Sequence, residues 1–308
     1  MGSPMVRGAG MHGPRFVGHT AAMKTRPCLH HGLQAIELRS PDGARAVITL
    51  HGGHLVSWIP AGSAGEQLYL SPSSEYAPGK AIRGGVPVIF PQFSGRGPLV
   101  RHGFARTMPW QVHGTQEGAD GSAAAVLRLG DDAASRAAWP HAFELDFRVR
   151  IGGAGLTMEL ACRNTGDAAF SFACALHTYL RVNDVALTSL EGLADRTYWD
   201  AVDGRDKTQL EQMLQPEGEV DRVYLGVDRP LVLREDAAGS ARGLLIGQQV
   251  FEDVVVWNPG AARCAALADM PPDGWRHMLC VEAVMLARPI LLEAGQRWVG
   301  VQHLTVPG

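Results

Sequence analysis

A chain of 308 residues with 46% apolar and 19% charged residues has the composition of an ordinary globular protein, long enough to bury a sizeable core. Its net charge of −3, with no basic stripe, excludes a nucleic-acid partner from expectation, and no continuous apolar run reaches membrane-spanning length. Cys28, Cys162, Cys174, Cys264 and Cys280 form an odd set without a C-x-x-C pair, so neither a disulfide framework nor a structural zinc is expected, and a reducing cytoplasm suits them.

In chain order, residues 1–23 are rich in Gly, His and Arg and lack the apolar core of a secretory signal; a disordered tail is expected there. Residues 24–308 show no composition shift or linker and are expected to form a single domain. Period-two alternation dominates from the start. Ala35–Leu38 and Ala46–Leu50 flank Pro41-Asp42-Gly43 and predict a hairpin, followed by a strand over His54–Trp58. Phe143–Ile151 and Leu156–Cys162, joined by Gly152-Gly153, predict a second hairpin, and Asn164–Asp167 turns the chain into a strand over Phe170–Val182. Val254–Trp257 and Met278–Val284 are further strands. Helical signals are brief, at Ser135–Trp139 and Lys207–Met213. Many short strands with frequent turns and no internal repeat predict an all-β chain built as one large antiparallel β-sandwich.

Three places carry candidate chemistry. On the strand through His177, Phe170, Phe172, Cys174 and Leu176 share one face, while Ala173, Ala175, His177 and Tyr179 share the other. Two alanines and two polar-tipped rings leave room for a ligand, although a core histidine bonded to a carbonyl has the same pattern. Glu282 falls by parity in the apolar row of Met278, Cys280 and Val284. A carboxylate there needs either an arginine partner or a cleft that raises its pKa toward the range of a general acid or base. Finally, Arg83-Gly84-Gly85 and Arg101-His102-Gly103-Phe104-Ala105-Arg106 set arginines beside glycines, which lets the backbone approach a ligand closely and suits an anionic one. His51-Gly52-Gly53-His54 lacks a third ligand at a familiar spacing, so no metal is expected; there is no Walker loop, nucleophile elbow or dinucleotide fingerprint.

In order along the chain, His51–Trp58, Ile82–Pro91, His102–Arg106, Leu176–Tyr179, Val256–Pro259 and Cys280–Glu282 together resemble the hexose-6-phosphate mutarotase branch of the aldose 1-epimerase superfamily. The resemblance spans residues 24–308. It implies the galactose mutarotase-like supersandwich, no cofactor, and interconversion of the α and β anomers of a hexose 6-phosphate, glucose 6-phosphate first among them. By resemblance, His177 is the acid that protonates the ring oxygen and Glu282 the base that takes the proton from the anomeric hydroxyl. Arg83 and Arg106 match substrate-binding arginines, Asp221 an acidic residue that holds sugar hydroxyls, and His102 a histidine near the ring oxygen in galactose-type relatives. Arg101 stands where the family often has glutamine, and is expected either to strengthen phosphate binding or to alter the choice of sugar. The expected partner is a small sugar phosphate, with no nucleic acid or membrane, for a cytoplasmic monomer or weak homo-oligomer. The competing expectations are a carbohydrate-binding or sugar-phosphate-sensing protein without turnover, and a mutarotase of unphosphorylated aldoses.

Overall fold

The computed structural model describes residues 25–62, 65–237 and 240–307; the expected tail lies outside them. Strands β1 (Thr25–His30), β2 (Leu33–Arg39), β3 (Arg45–Thr49) and β4 (His54–Ile59) form a four-stranded meander. An irregular stretch then leads to β5 (Val88–Ile89), and successive hairpins give β6 (Gln111–Glu117), β7 (Ala123–Gly130), β8 (Phe143–Gly152) and β9 (Gly155–Asn164). The chain continues through β10 (Phe170–Leu176), β11 (Tyr179–Arg181), β12 (Thr188–Glu191), β13 (Thr197–Asp200), β14 (Arg205–Thr208), β15 (Met213–Leu214), β16 (Val220–Tyr224), β17 (Leu231–Ala237) and β18 (Ser240–Gln249). It ends with β19 (Asp253–Asn258), β20 (Met278–Leu292) and β21 (Arg297–Thr305).

These strands build two large antiparallel sheets. One has eight strands, in the order β14-β13-β16-β19-β20-β10-β5 with β11 also on β20; the other has nine, in the order β15-β12-β17-β18-β21-β9-β8-β7-β6. Alternation is clearest on β8, where Phe143, Leu145, Phe147, Val149 and Ile151 all point inward and are at most 1% exposed. They meet Leu176, Val254, Val256, Leu279, Val281 and Ala283 from the facing sheet in one apolar core. The opposite parity of the eight-stranded sheet is apolar too: Ala175, Tyr179, Val223, Val255, Trp257, Met278, Cys280 and Val284 form a second cluster. That sheet is therefore apolar on both faces, and the second face is free to floor a cleft.

The predicted hairpins and the all-β architecture hold, and α1 (Ala133–Ala138) forms where expected, capped by Asp132 in a reciprocal box with Ser135. Two expectations fail. Lys207–Met213 is not helical: Lys207 ends up in β14, where its ammonium reaches Asp200 at 2.8 Å and Asp203 at 2.6 Å, so tertiary pairing overrides the local helix preference. The strand expected over Phe170–Val182 breaks after Leu176. His177 donates its amide to Pro87 O at 3.1 Å, Tyr179 donates to Gly85 O at 2.9 Å, and β11 resumes beyond the gap. A short helix absent from the sequence reading, α2 (Gly260–Ala265), follows β19.

Candidate active site

The break in the strand decides where His177 goes. Leu176 pairs with Ala283 and Tyr179 with Cys280, so counting inward from either side sets His177 opposite Glu282 at a gap in the ladder. Cross-strand neighbours share a face, and here that face is the floor of the cleft. His177 Nε2 lies 3.3 Å from Glu282 Oε1, with the side chains 9% and 1% exposed. The second atom of each group, His177 Nδ1 and Glu282 Oε2, is buried without a hydrogen-bond partner. Leaving such atoms unsatisfied is costly, and the arginine ion pair that would have made Glu282 structural is not there: among the described residues its ionic neighbour is His177.

Burial sets the protonation of both. It drives the Glu282 carboxyl well above the usual carboxylate range, with Asp221 adding to the rise and Arg101 and Arg106 opposing it. It drives His177 well below the usual imidazole range, helped by His102, Arg106 and Arg83. With the carboxyl raised and the imidazole lowered, the two groups together hold one proton over a broad span of pH, resting on Glu282.

All seven residues singled out from the sequence line one cleft of ≈ 330 Å³: Arg83, Arg101, His102, Arg106, His177, Asp221 and Glu282. Asp221 comes from β16, directly opposite Trp257 on β19, and burial raises its carboxyl although Arg263 and Arg101 pull it down. Arg106 sits on a single 3-10 turn over Ala105–Thr107 and donates from Nη2 to Arg101 O at 3.2 Å. Among the described residues no carboxylate lies within 4.0 Å of Arg101 or Arg106. Burial lowers the Arg106 pKa, so this cation lacks a counter-ion where it most needs one.

Arg83 differs. Its Nε and Nη2 donate to the two Asp269 oxygens at 3.1 Å each, and its Nη1 donates to Tyr179 Oη at 3.0 Å. Three of the five N–H groups of the guanidinium are engaged within the protein. His102 is pinned from its own loop: Ser94 N–H donates to its Nδ1 at 3.3 Å and its own amide donates to Ser94 O at 2.9 Å. Burial, with Arg106 and Arg101 nearby, pushes its pKa down to about 3. The ring is neutral, and an accepting Nδ1 leaves the proton on Nε2. Both ends of that loop, Ser94 (φ 49) and His102 (φ 68), occupy the left-handed region without being glycine.

The glycines beside the arginines have a different use from the one expected. A Cβ on Gly84 would meet Tyr69 O at 2.4 Å and one on Gly85 would meet Leu55 O at 2.3 Å, so close approach is to the chain's own backbone and not to a ligand. Tight packing there holds the Arg83 backbone against Ser71 and Ser74.

Sequence reasoning missed the cleft's aromatic wall and its brace. Trp257 stands edge-on to His177 (6.2 Å, 79°) and to Tyr179 (6.0 Å, 79°); its parity with Val255 on β19 was the available signal. Asp269, 186 residues from Arg83, had none. His51 and His54 each bond a carbonyl, Lys80 O at 2.6 Å and Gly84 O at 2.7 Å. Among the described residues the one group able to hold a metal ion is His177, Cys280 and Glu282, with ligand atoms within 4.8 Å of one another. Burial raises the Cys280 thiol well above its ordinary value, which opposes the thiolate that a metal requires.

Residues 34–305 match the aldose 1-epimerase family profile. A protein of Escherichia coli K12 named "Putative glucose-6-phosphate 1-epimerase" is 37% identical over 240 residues, 77% of this chain and 79% of its own length. One of the same name from Cenchrus ciliaris is 32% identical over 279 residues, 87% of this chain and 83% of its own. The crystal structure of a "putative mutarotase" from Salmonella typhimurium superimposes with a TM-score of 0.82 at 31% identity, covering 91% of this chain and 92% of that one.

Proposed function

Since the chain belongs to the aldose 1-epimerase family, we propose that it interconverts the α and β anomers of a hexose 6-phosphate, glucose 6-phosphate in particular, with His177 and Glu282 as its catalytic residues. The chain is an isomerase by that membership. The observation that carries the residue assignment is the 3.3 Å approach of imidazole to carboxylate on the floor of a cleft whose wall carries two arginines without carboxylate partners.

The reaction requires one proton to leave the anomeric O1 and one to reach the ring oxygen O5. In the reacting tautomer the dyad's one proton stands on His177; Glu282 takes the O1 proton as the C1–O5 bond breaks, His177 gives its proton to O5, and C1 becomes an aldehyde. Rotation about C1–C2 turns the other aldehyde face toward O5. The two residues then act in reverse and close the opposite anomer, leaving each as it began. A pair that shares one proton across 3.3 Å supplies both roles without metal or nucleotide. In this reading Arg106 and Arg101 receive the phosphate, Asp221 accepts from sugar hydroxyls, His102 donates from Nε2 toward the ring, and Arg83 offers its remaining N–H groups.

Two-dimensional exchange NMR on glucose 6-phosphate, with free glucose as control, tests this directly. Accelerated α/β exchange of the phosphorylated sugar is expected, and a large loss of it in Glu282→Gln. Equal acceleration of both sugars would assign the protein to unphosphorylated aldoses, and binding without acceleration would make it a sensor.

A further inference from the structure

Among the described residues no other residue's hydrogen bond fixes the plane of the His177 imidazole: Nδ1 is buried without a partner and Nε2 faces Glu282. A ring that must present one nitrogen to a substrate oxygen within a few tenths of an ångström needs another support. The support is aromatic. Tyr179 lies flat on it, with centroids 4.8 Å apart and planes 10° apart, while Trp257 closes one edge at 6.2 Å.

Tyr179 is held in turn at its far tip, where its hydroxyl accepts from Arg83 Nη1 at 3.0 Å. The guanidinium that makes this bond cannot rotate, because Asp269 grips its Nε and Nη2 as a fork. The aspartate is itself anchored by Ser71, whose hydroxyl donates to Asp269 O at 2.7 Å. Asp269 stands in the turn after α2, outside the catalytic cleft and on the wall of an adjoining cavity that shares Arg83 and Arg106 with it.

We propose that Asp269 is a positioning residue for the proton transfer: acting through Arg83 and Tyr179, it sets the plane in which His177 meets the sugar. The proposal rests on the reading of His177 as the catalytic imidazole. The pair is bidentate and half-buried, at 22% and 34%, so its stability contribution is separated from its catalytic one by reading the rate per folded molecule.

The test is a double-mutant cycle on Asp269→Ala and Tyr179→Phe, measured by exchange NMR on glucose 6-phosphate, with the His177 ring resonances followed alongside. Tyr179→Phe keeps the stacked ring and removes only the bond to Arg83. Each single variant is expected to lose about tenfold in kcat with little change in KM, and the double variant to lose scarcely more than either. Asp269→Glu, which retains a carboxylate, should recover most of the loss. The His177 resonances should move in both single variants, assigned by their disappearance in His177→Asn. Fold losses that multiply in the double variant, or His177 resonances unmoved by Asp269→Ala, would overturn the relay. If Asp269→Ala does not fold, Tyr179→Phe alone decides, since unmoved resonances there overturn the proposal equally. The ring readout needs no turnover: a wild-type protein inactive on the sugar phosphate whose His177 signals still respond would sink the substrate assignment and leave the bracing geometry standing.

Discussion

On the outer face of the nine-stranded sheet Arg128 lies between two carboxylates, 2.8 Å from Glu144 and 2.7 Å from Asp146, all three partly exposed. In the cleft of the eight-stranded sheet Arg106 is more deeply enclosed and has no such partner among the described residues, and the nearby Glu282 faces an imidazole instead of a cation. The same residue types thus serve two ends. Where charges are matched in the resting protein they hold strands together weakly; where one is left unmatched, as at Arg106, the site suits an anionic ligand. Their difference also separates what mutation should damage. Changes on the first sheet should be read in stability, and changes in the cleft in rate and affinity.

The strongest attempt to break that division is Glu282→Gln or His177→Asn, which should lower kcat by about 10²–10⁴-fold while KM stays within a few fold. Exchange spectroscopy measures both, and unaltered rates in the two variants would remove the dyad. Phe147→Ala, on the far side of the shared core, should cost about 3–5 kcal/mol in urea unfolding because the ring is wholly buried, yet leave the rate per folded molecule unchanged. A fall in kcat there would show the two sheets to be coupled. Arg106→Gln should raise KM for glucose 6-phosphate by roughly 10–100-fold through loss of a charge-assisted bond, with no matching change for free glucose.

A gentler probe is pH. On the proposed mechanism activity needs the dyad to hold one proton. Burial lowers His177, so the second proton is added only below the ordinary imidazole range; burial raises Glu282, so the shared proton is lost only above the ordinary carboxylate range. A bell-shaped kcat profile with a broad plateau is expected, falling on the acid side as the pair gains a proton and on the alkaline side as it loses one. Removing Arg101, which pulls Glu282 down, should move the alkaline limb upward. The smallest expected effect is that of Arg128→Ala, a stability loss of about 1 kcal/mol or less with unchanged kinetics.

Much of this was legible beforehand because strands with one buried face carry their orientation in the sequence. Phe143 through Ile151 alternate so cleanly that the inward side is unambiguous, and the same parity put Glu282 with Met278 and Cys280 and His177 with Ala175 and Tyr179. What alternation cannot reveal is which strands pair. That His177 faces Glu282 follows from the β20 register, and the interruption after Leu176 depends on carbonyls at Pro87 and Gly85 nearly a hundred residues earlier. Lys207–Met213 differs for a similar reason: Lys207 is drawn into the β13–β14 hairpin, which brings Asp200 to its ammonium, a contact helix propensity does not reveal. The Asp269 brace and the short helix α2 left no local trace at all.

One consequence of the interrupted ladder concerns how this chain can change length. β20 runs past Cys174–Leu176 and Tyr179–Arg181 in a single register, so over that stretch it works as a ruler on which His177 and Glu282 occupy facing marks. An insertion or deletion of one residue between Cys280 and Ala283, or between Leu176 and Tyr179, would turn one of them through to the opposite side of the sheet, into hydrocarbon. These two intervals must therefore keep their spacing for as long as the dyad is to meet, whatever happens to the length of connections remote from the cleft.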